Sequence, residues 1–110
     1  MASTKNIKRF EIYWAKLDPT VGNEIQKIRP CVVVSPDAMN KVLGTVIVIP
    51  LTSTIIDWPF RFAIGSAHHK SSVACDHVRS VSKERLGRKI GTLTTHEQRI
   101  VLEMLRNIFS

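Results

Sequence analysis

A chain of 110 residues, 44% hydrophobic and 23% charged, holds one compact domain around one core, and this composition excludes a disordered or collagen-like polymer. The longest apolar run, Val46 to Leu51, is far short of a membrane span, and no long apolar stretch follows Lys5, Lys8 and Arg9 as a secretory signal requires; a cytoplasmic protein with no membrane partner is expected. Sixteen Lys and Arg against nine Asp and Glu give a net charge of +7, which predisposes the chain to polyanions, whether nucleic acid, an acidic membrane or an acidic protein.

In chain order, residues 1–8 read as a flexible N-terminus of a single domain over 1–110. Phe10 to Leu17, rich in aromatic and aliphatic side chains, predicts a strand, with Trp14 as core. Asp18 to Arg29 predicts a loop about twice the usual length of a connection within a compact domain. Pro30 to Ser35 predicts a strand opened by its proline, where the missing N–H is tolerated, and Thr45 to Leu51 predicts another. Phe60 to Ile64 is a weaker strand, and Ser72 to Val81 alternates in part, with Val73, Cys75 and His77 on one face. Short helical turns are expected at Asp37 to Val42 and Ser82 to Leu86, and a last strand at Lys89 to Leu93. Thr94 and Glu97 have capping-box spacing, and Val101, Met104, Leu105 and Ile108 then form one apolar helical face. Short strands closed by one amphipathic helix suggest a small antiparallel barrel or curled sheet with the helix packed on it. Cys31 and Cys75 are too few for a disulfide scaffold and read as buried, reduced thiols.

Four segments carry a family pattern. They are Leu17-Asp18-Pro19-Thr20-Val21-Gly22-Asn23-Glu24 with Lys27-Ile28-Arg29-Pro30-Cys31-Val32-Val33-Val34-Ser35; Ile49-Pro50-Leu51-Thr52-Ser53; Ser72 to Val81; and Lys89 to Leu93 before the terminal helix. In this order and spacing they resemble the MazF/PemK toxins from about Arg9 to Phe109. The resemblance implies an SH3-like barrel with a C-terminal helix. It also implies a bacterial, homodimeric, metal-independent endoribonuclease that cuts single-stranded RNA, uses no cofactor and is neutralised by a cognate, MazE-like acidic antitoxin. Carried over by position, it implies Arg29, Thr52 and Glu24 as catalytic residues and Asn23, Lys27, Ser53, Asp76, His77 and Arg79 as RNA contacts. The chain departs from the pattern where many members carry Gln in place of His77 and some carry Arg in place of Ala74 and His in place of Asn23. An acid–base scheme built on the residues at positions 23 and 74 therefore does not transfer.

The chemistry can be stated independently of the resemblance. Metal-free RNA cleavage uses the 2′-OH as an internal nucleophile, and the transition state gathers negative charge on the phosphoryl oxygens. An arginine fork and a threonine hydroxyl suit that charge. Arginine is a poor base at its ordinary pKa, and Glu24 is the best side-chain candidate for proton transfer if its loop folds over the scissile site. By residue type alone, the favoured readings are a solvated cation for Arg29, an ordinary strand residue for Thr52 and a surface acid for Glu24. His68, His69, Cys75, Asp76 and His77 fit no standard zinc spacing, so no metal site is expected. Trp58, beside Asp57 and Pro59, is open between base stacking and an ordinary loop position. Two other functions remain: a gyrase poison like CcdB, disfavoured because the chain ends Asn107-Ile108-Phe109-Ser110 instead of Trp-Gly-Ile, and a non-catalytic RNA-binding barrel.

Overall fold

The computed structural model describes residues 6–17, 28–55, 57–65 and 70–110. Among the described residues, seven strands and two α-helices follow one another as β1 (Glu11–Lys16), β2 (Ile28–Val33), α1 (Asp37–Val42), β3 (Thr45–Thr52), β4 (Arg61–Ile64), β5 (Ser71–Ala74), β6 (Arg79–Ser82), β7 (Leu86–Thr92) and α2 (Thr95–Ile108). All strand pairs are antiparallel, in the order β4-β5-β3-β2-β1-β7, with β6 also on β3. The barrel-like sheet is open: among the described residues β4 and β7 do not pair.

Both faces of the central strands are buried, so these strands read as continuous apolar runs with no polar alternation. Ile12, Val32, Ile49, Leu51 and Val73 form one cluster with Val101 of α2, against which Met104, Leu105 and Ile108 also pack. Tyr13, Ala15, Cys31, Val33, Val46 and Val48 form the cluster on the other face, closed by Ile7, Val81 and Leu86. Ile7 is therefore core, and the Lys8 amide donates to Glu11 Oε1 at 2.7 Å; this narrows the loose N-terminal segment expected over residues 1–8, of which 1–5 lie outside the described residues. Glu11 is itself buried; burial pushes its carboxyl up, but hydrogen bonds from Lys89 Nζ (2.7 Å), the Lys8 amide and the Tyr13 hydroxyl outweigh that and bring it below the usual range.

Helix α2 begins as its local sequence requires. Thr94 Oγ1 accepts from the Glu97 amide at 3.1 Å, and Glu97 Oε1 accepts from the Thr94 amide at 2.9 Å. This reciprocal cap satisfies two free donors and contributes about 1 kcal/mol.

The expected strand over Ser72 to Val81 is corrected: it is two strands. β5 pairs with β3 in the register Leu51↔Val73 and Thr52↔Ser72, whereas β6 pairs with it as Val48↔Arg79 and Val46↔Val81. Between the two the register jumps by three residues, and Cys75–His77 are taken up as a 3-10 turn. Cys75 points inward and is buried, while Asp76 and His77 are pushed out to solvent, so His77 does not share a face with Val73 and Cys75. Ser82 to Leu86 likewise contains a 3-10 turn, Lys83–Arg85, and the last strand starts earlier than expected, at Leu86. Trp14 is half-buried at the sheet surface, not in the core.

Candidate functional site

The site is built where β2 and β3 run out of the core. Cys31 pairs with Pro50, so continuing that antiparallel register by two residues sets Arg29 opposite Thr52 on one face. Arg29 is the second residue of β2, paired with Ala15 of β1, so rigid backbone, not a loop, holds it. Thr52 ends β3; its Oγ1 accepts from the Thr54 amide at 3.2 Å, which leaves its O–H proton free to donate outward. Both residues line a cleft of about 520 Å³, together with Leu17, Pro50, Arg61, His77 and Arg79. Burial pushes the Cys31 thiol up to about 12, and the charges of Arg79 and Arg29 oppose that shift only in part.

A second cluster lines the same cleft. Arg61 opens β4, and the β4–β5 register sets it opposite Ala74, two residues before Asp76. Its Nε donates to Asp76 Oδ1 at 3.0 Å and its Nη2 to Asp76 Oδ2 at 3.1 Å, a bidentate pair. The hydrogen bond from Arg61 holds the Asp76 carboxyl below its usual range. His77 Nε2 lies 3.3 Å from Arg61 Nη2 and 3.4 Å from Asp76 Oδ2, with the ring 60% exposed. The Arg61 guanidinium carbon sits 4.9 Å from the centre of the Trp58 ring. That stack follows from a tight turn: the Arg61 amide donates to Trp58 O at 3.3 Å, Pro59 occupies the second position, and Phe60 at the third has φ 64°. Pro followed by a positive φ is the pattern of a type II turn, in which the third position favours glycine. A side chain there costs roughly 1–2 kcal/mol, which Phe60 offsets by packing on the α2-side core.

Arg29, Thr52, His77 and Arg79 thus meet in one cleft. Asp76 faces Arg61, and Ser53 is exposed beyond the end of β3, outside the cleft lining. Asn23, Glu24 and Lys27 fall outside the described residues, as do His68 and His69. Among the described residues no three His, Cys, Asp or Glu side chains gather as a metal-ligand group. Sequence reasoning missed Arg61. The available signal was its spacing from Trp58, but its partner, Asp76, lies fifteen residues on and is reached only through sheet pairing.

Comparison with known proteins adds a family. The family model described as PemK-like, MazF-like toxin of type II toxin–antitoxin system matches residues 8–109. An endoribonuclease, MazF9, of Mycobacterium tuberculosis (strain ATCC 25618 / H37Rv) is 35% identical over 101 residues, covering 83% of this chain and 86% of the relative. The endoribonuclease toxin MazF of Escherichia coli (strain K12) is 28% identical over 92 residues, covering 83% of each. Among solved structures, a MazE–MazF complex from Deinococcus radiodurans superimposes with a TM-score of 0.84 at 24% identity over 96% of both chains, a likeness of fold.

Proposed function

The chain belongs to the PemK-like, MazF-like toxins of type II toxin–antitoxin systems and is an endoribonuclease of that family, and we propose that it cuts single-stranded RNA, within a short sequence and without metal, by attack of the 2′-OH on the adjacent phosphorus. The observation that carries this reading is the convergence of Arg29 and Thr52, from neighbouring strands, in one open cleft. The RNA enters as an unpaired strand with its scissile phosphate between them. As the 2′-oxygen bonds to phosphorus, charge grows on the phosphoryl oxygens; Arg29 meets it with fixed N–H donors and Thr52 with its free O–H. Glu24 takes the 2′-OH proton, and the 5′-oxygen leaves as a hydroxyl after gaining a proton. The products are a 2′,3′-cyclic phosphate and a 5′-hydroxyl end. Arg79, His77, Asp76, Lys27, Asn23 and Ser53 contact the rest of the strand.

The test is a long single-stranded RNA digested in excess EDTA, with the 5′-hydroxyl ends sequenced. Cleavage at one recurring short sequence is expected. Activity lost in EDTA and restored by Mg²⁺ or Zn²⁺ would break the mechanism. The small core and family membership support a two-fold dimer, which light scattering at micromolar concentration reads as twice the chain mass. The +7 charge supports neutralisation by an acidic, extended antitoxin segment that covers Arg29 and competes with RNA. Unchanged RNA affinity at saturating antitoxin would exclude competition.

A further inference from the structure

We propose that His77, beyond contacting the strand, is the general acid of the cleavage: its Nδ1 proton passes to the 5′-oxygen as the bond from phosphorus to that oxygen breaks. This deepens the reading that the cleft cuts single-stranded RNA, and rests on it. That reading needs a proton for the leaving oxygen, since an alkoxide is a poor leaving group. Of the described residues that line the cleft, Arg29, Arg61 and Arg79 keep their protons, and Thr52 is a neutral hydroxyl. His77 is the one imidazole among them, and imidazole is the side chain suited to hold and release a proton near neutral pH.

The fold brings His77 to the site from a different edge than Arg29. β2, which carries Arg29, lies along one edge of β3, and β5 and β6 lie along the other. The 3-10 turn Cys75–His77 joins β5 to β6 beside β3, between Leu51, paired with Val73, and Val48, paired with Arg79. Thr52 is the residue after Leu51. A phosphate between Arg29 and Thr52 therefore has His77 on its β5–β6 side, and the cleft of about 520 Å³ that all three line is the size of a small-ligand site. The turn is held firmly. Cys75 is fully buried beneath it, 3.8 Å from Met104 of α2, and the Cys75 amide donates to Phe60 O at 3.1 Å.

The ring is oriented as well. Its Nε2 lies 3.4 Å from Asp76 Oδ2 and 3.3 Å from Arg61 Nη2, and β3 brings no titratable side chain to the turn. In the protonated ring Nε2–H faces the Asp76 carboxylate, which compensates the Arg61 charge beside it, and Nδ1–H is the proton offered to the substrate. The step balances. The 2′-oxygen bonds to phosphorus as its proton goes to Glu24. The leaving 5′-oxygen keeps the electron pair of the broken bond and takes the Nδ1 proton. His77 ends neutral with Nε2–H still on Asp76, and water returns its proton. Asp76 is the positioning residue of this pair.

The test replaces the leaving oxygen by sulfur. A single-stranded RNA with one cleavage sequence is made with oxygen or with sulfur as the bridging 5′ atom and digested in EDTA with protein in excess. A thiol is far more acidic than an alcohol, so sulfur departs as a thiolate without needing a proton. His77→Gln should cut the oxygen substrate at least about a hundredfold more slowly than wild type, and the sulfur substrate within about threefold of it. Asp76→Asn should show the same rescue from a smaller loss. Arg29→Ala should slow both substrates, which shows that bond breaking limits the sulfur reaction too. Circular dichroism confirms the fold of each variant. Equal slowing of both substrates in His77→Gln overturns the proposal, and so does undiminished cutting of the oxygen substrate; either result leaves the functional reading standing. A wild-type protein that cuts neither substrate in EDTA overturns both.

Discussion

Two arginines face the same cleft and are prepared for different work. Arg29 extends from the β1–β2–β3 ladder, and no carboxylate among the described residues forms an ion pair with it. Arg61, at the start of β4, is bonded along one edge by Asp76 and covered on one face by Trp58. The side chains are identical; their neighbours decide what each presents. In the proposed mechanism the Arg29 charge meets a phosphate, whereas the Arg61 charge is already compensated by Asp76. A basic surface counted by residue type would treat the two as equivalent.

The largest expected effect separates them by rate. Arg29→Ala should lower single-turnover cleavage by a hundred- to a thousand-fold, about 3–4 kcal/mol of transition-state stabilisation, with the fold intact. Thr52→Ala should cost about five- to tenfold, because a neutral hydroxyl contributes less than a guanidinium. Near-normal activity in Arg29→Ala would remove it from the catalytic role.

Salt dependence sharpens the contrast. Each phosphate contact on a single strand adds about 0.7 to the slope of log affinity against log salt, so Arg29→Ala should flatten the slope by about that amount. Replacing the compensated pair together, Arg61→Gln with Asp76→Asn, should leave the slope unchanged, since the net charge of the cleft is unchanged. Equal flattening in both proteins would show that Arg61 too is a phosphate ligand.

The smallest effect concerns the lock on Arg61. Because Arg61 holds the Asp76 carboxyl below its ordinary range, the pair stabilises the fold above the unfolded-state pKa of about 3.9 and loses that contribution as pH falls through the lower folded-state value. Asp76 is 40% exposed, so solvent limits the contribution to about 1 kcal/mol or less. Urea unfolding should therefore find wild type slightly more stable than Asp76→Asn at neutral pH, with the gap closing below roughly pH 4. A gap that widens in acid would contradict the pairing.

Much of this architecture was legible in the chain because it rests on neighbours in sequence. Thr94 and Glu97 are three residues apart and cap α2 whatever else the chain does. Asp37–Val42 is helical over the residues expected, and Val101 with Met104, Leu105 and Ile108 faces the sheet as the helical repeat requires. Arg29 and Thr52 could be picked out by motif, although only the Cys31↔Pro50 register shows why they face one another.

The sequence by itself determined most of the strand-forming runs, the cap of α2, the buried thiols and the family, since each depends on local pattern or on motif order. Tertiary structure alone decided that Ser72–Val81 is broken. β3 must serve β5 and β6 in registers three residues apart, and a strand cannot absorb that excess without a turn. The same turn lifts Asp76 out to meet Arg61, and the β4–β5 pairing brings the two together across fifteen residues of chain. No local propensity encodes that meeting, because it follows from which strands become neighbours and in what register, and those are settled only when both faces of the sheet are buried.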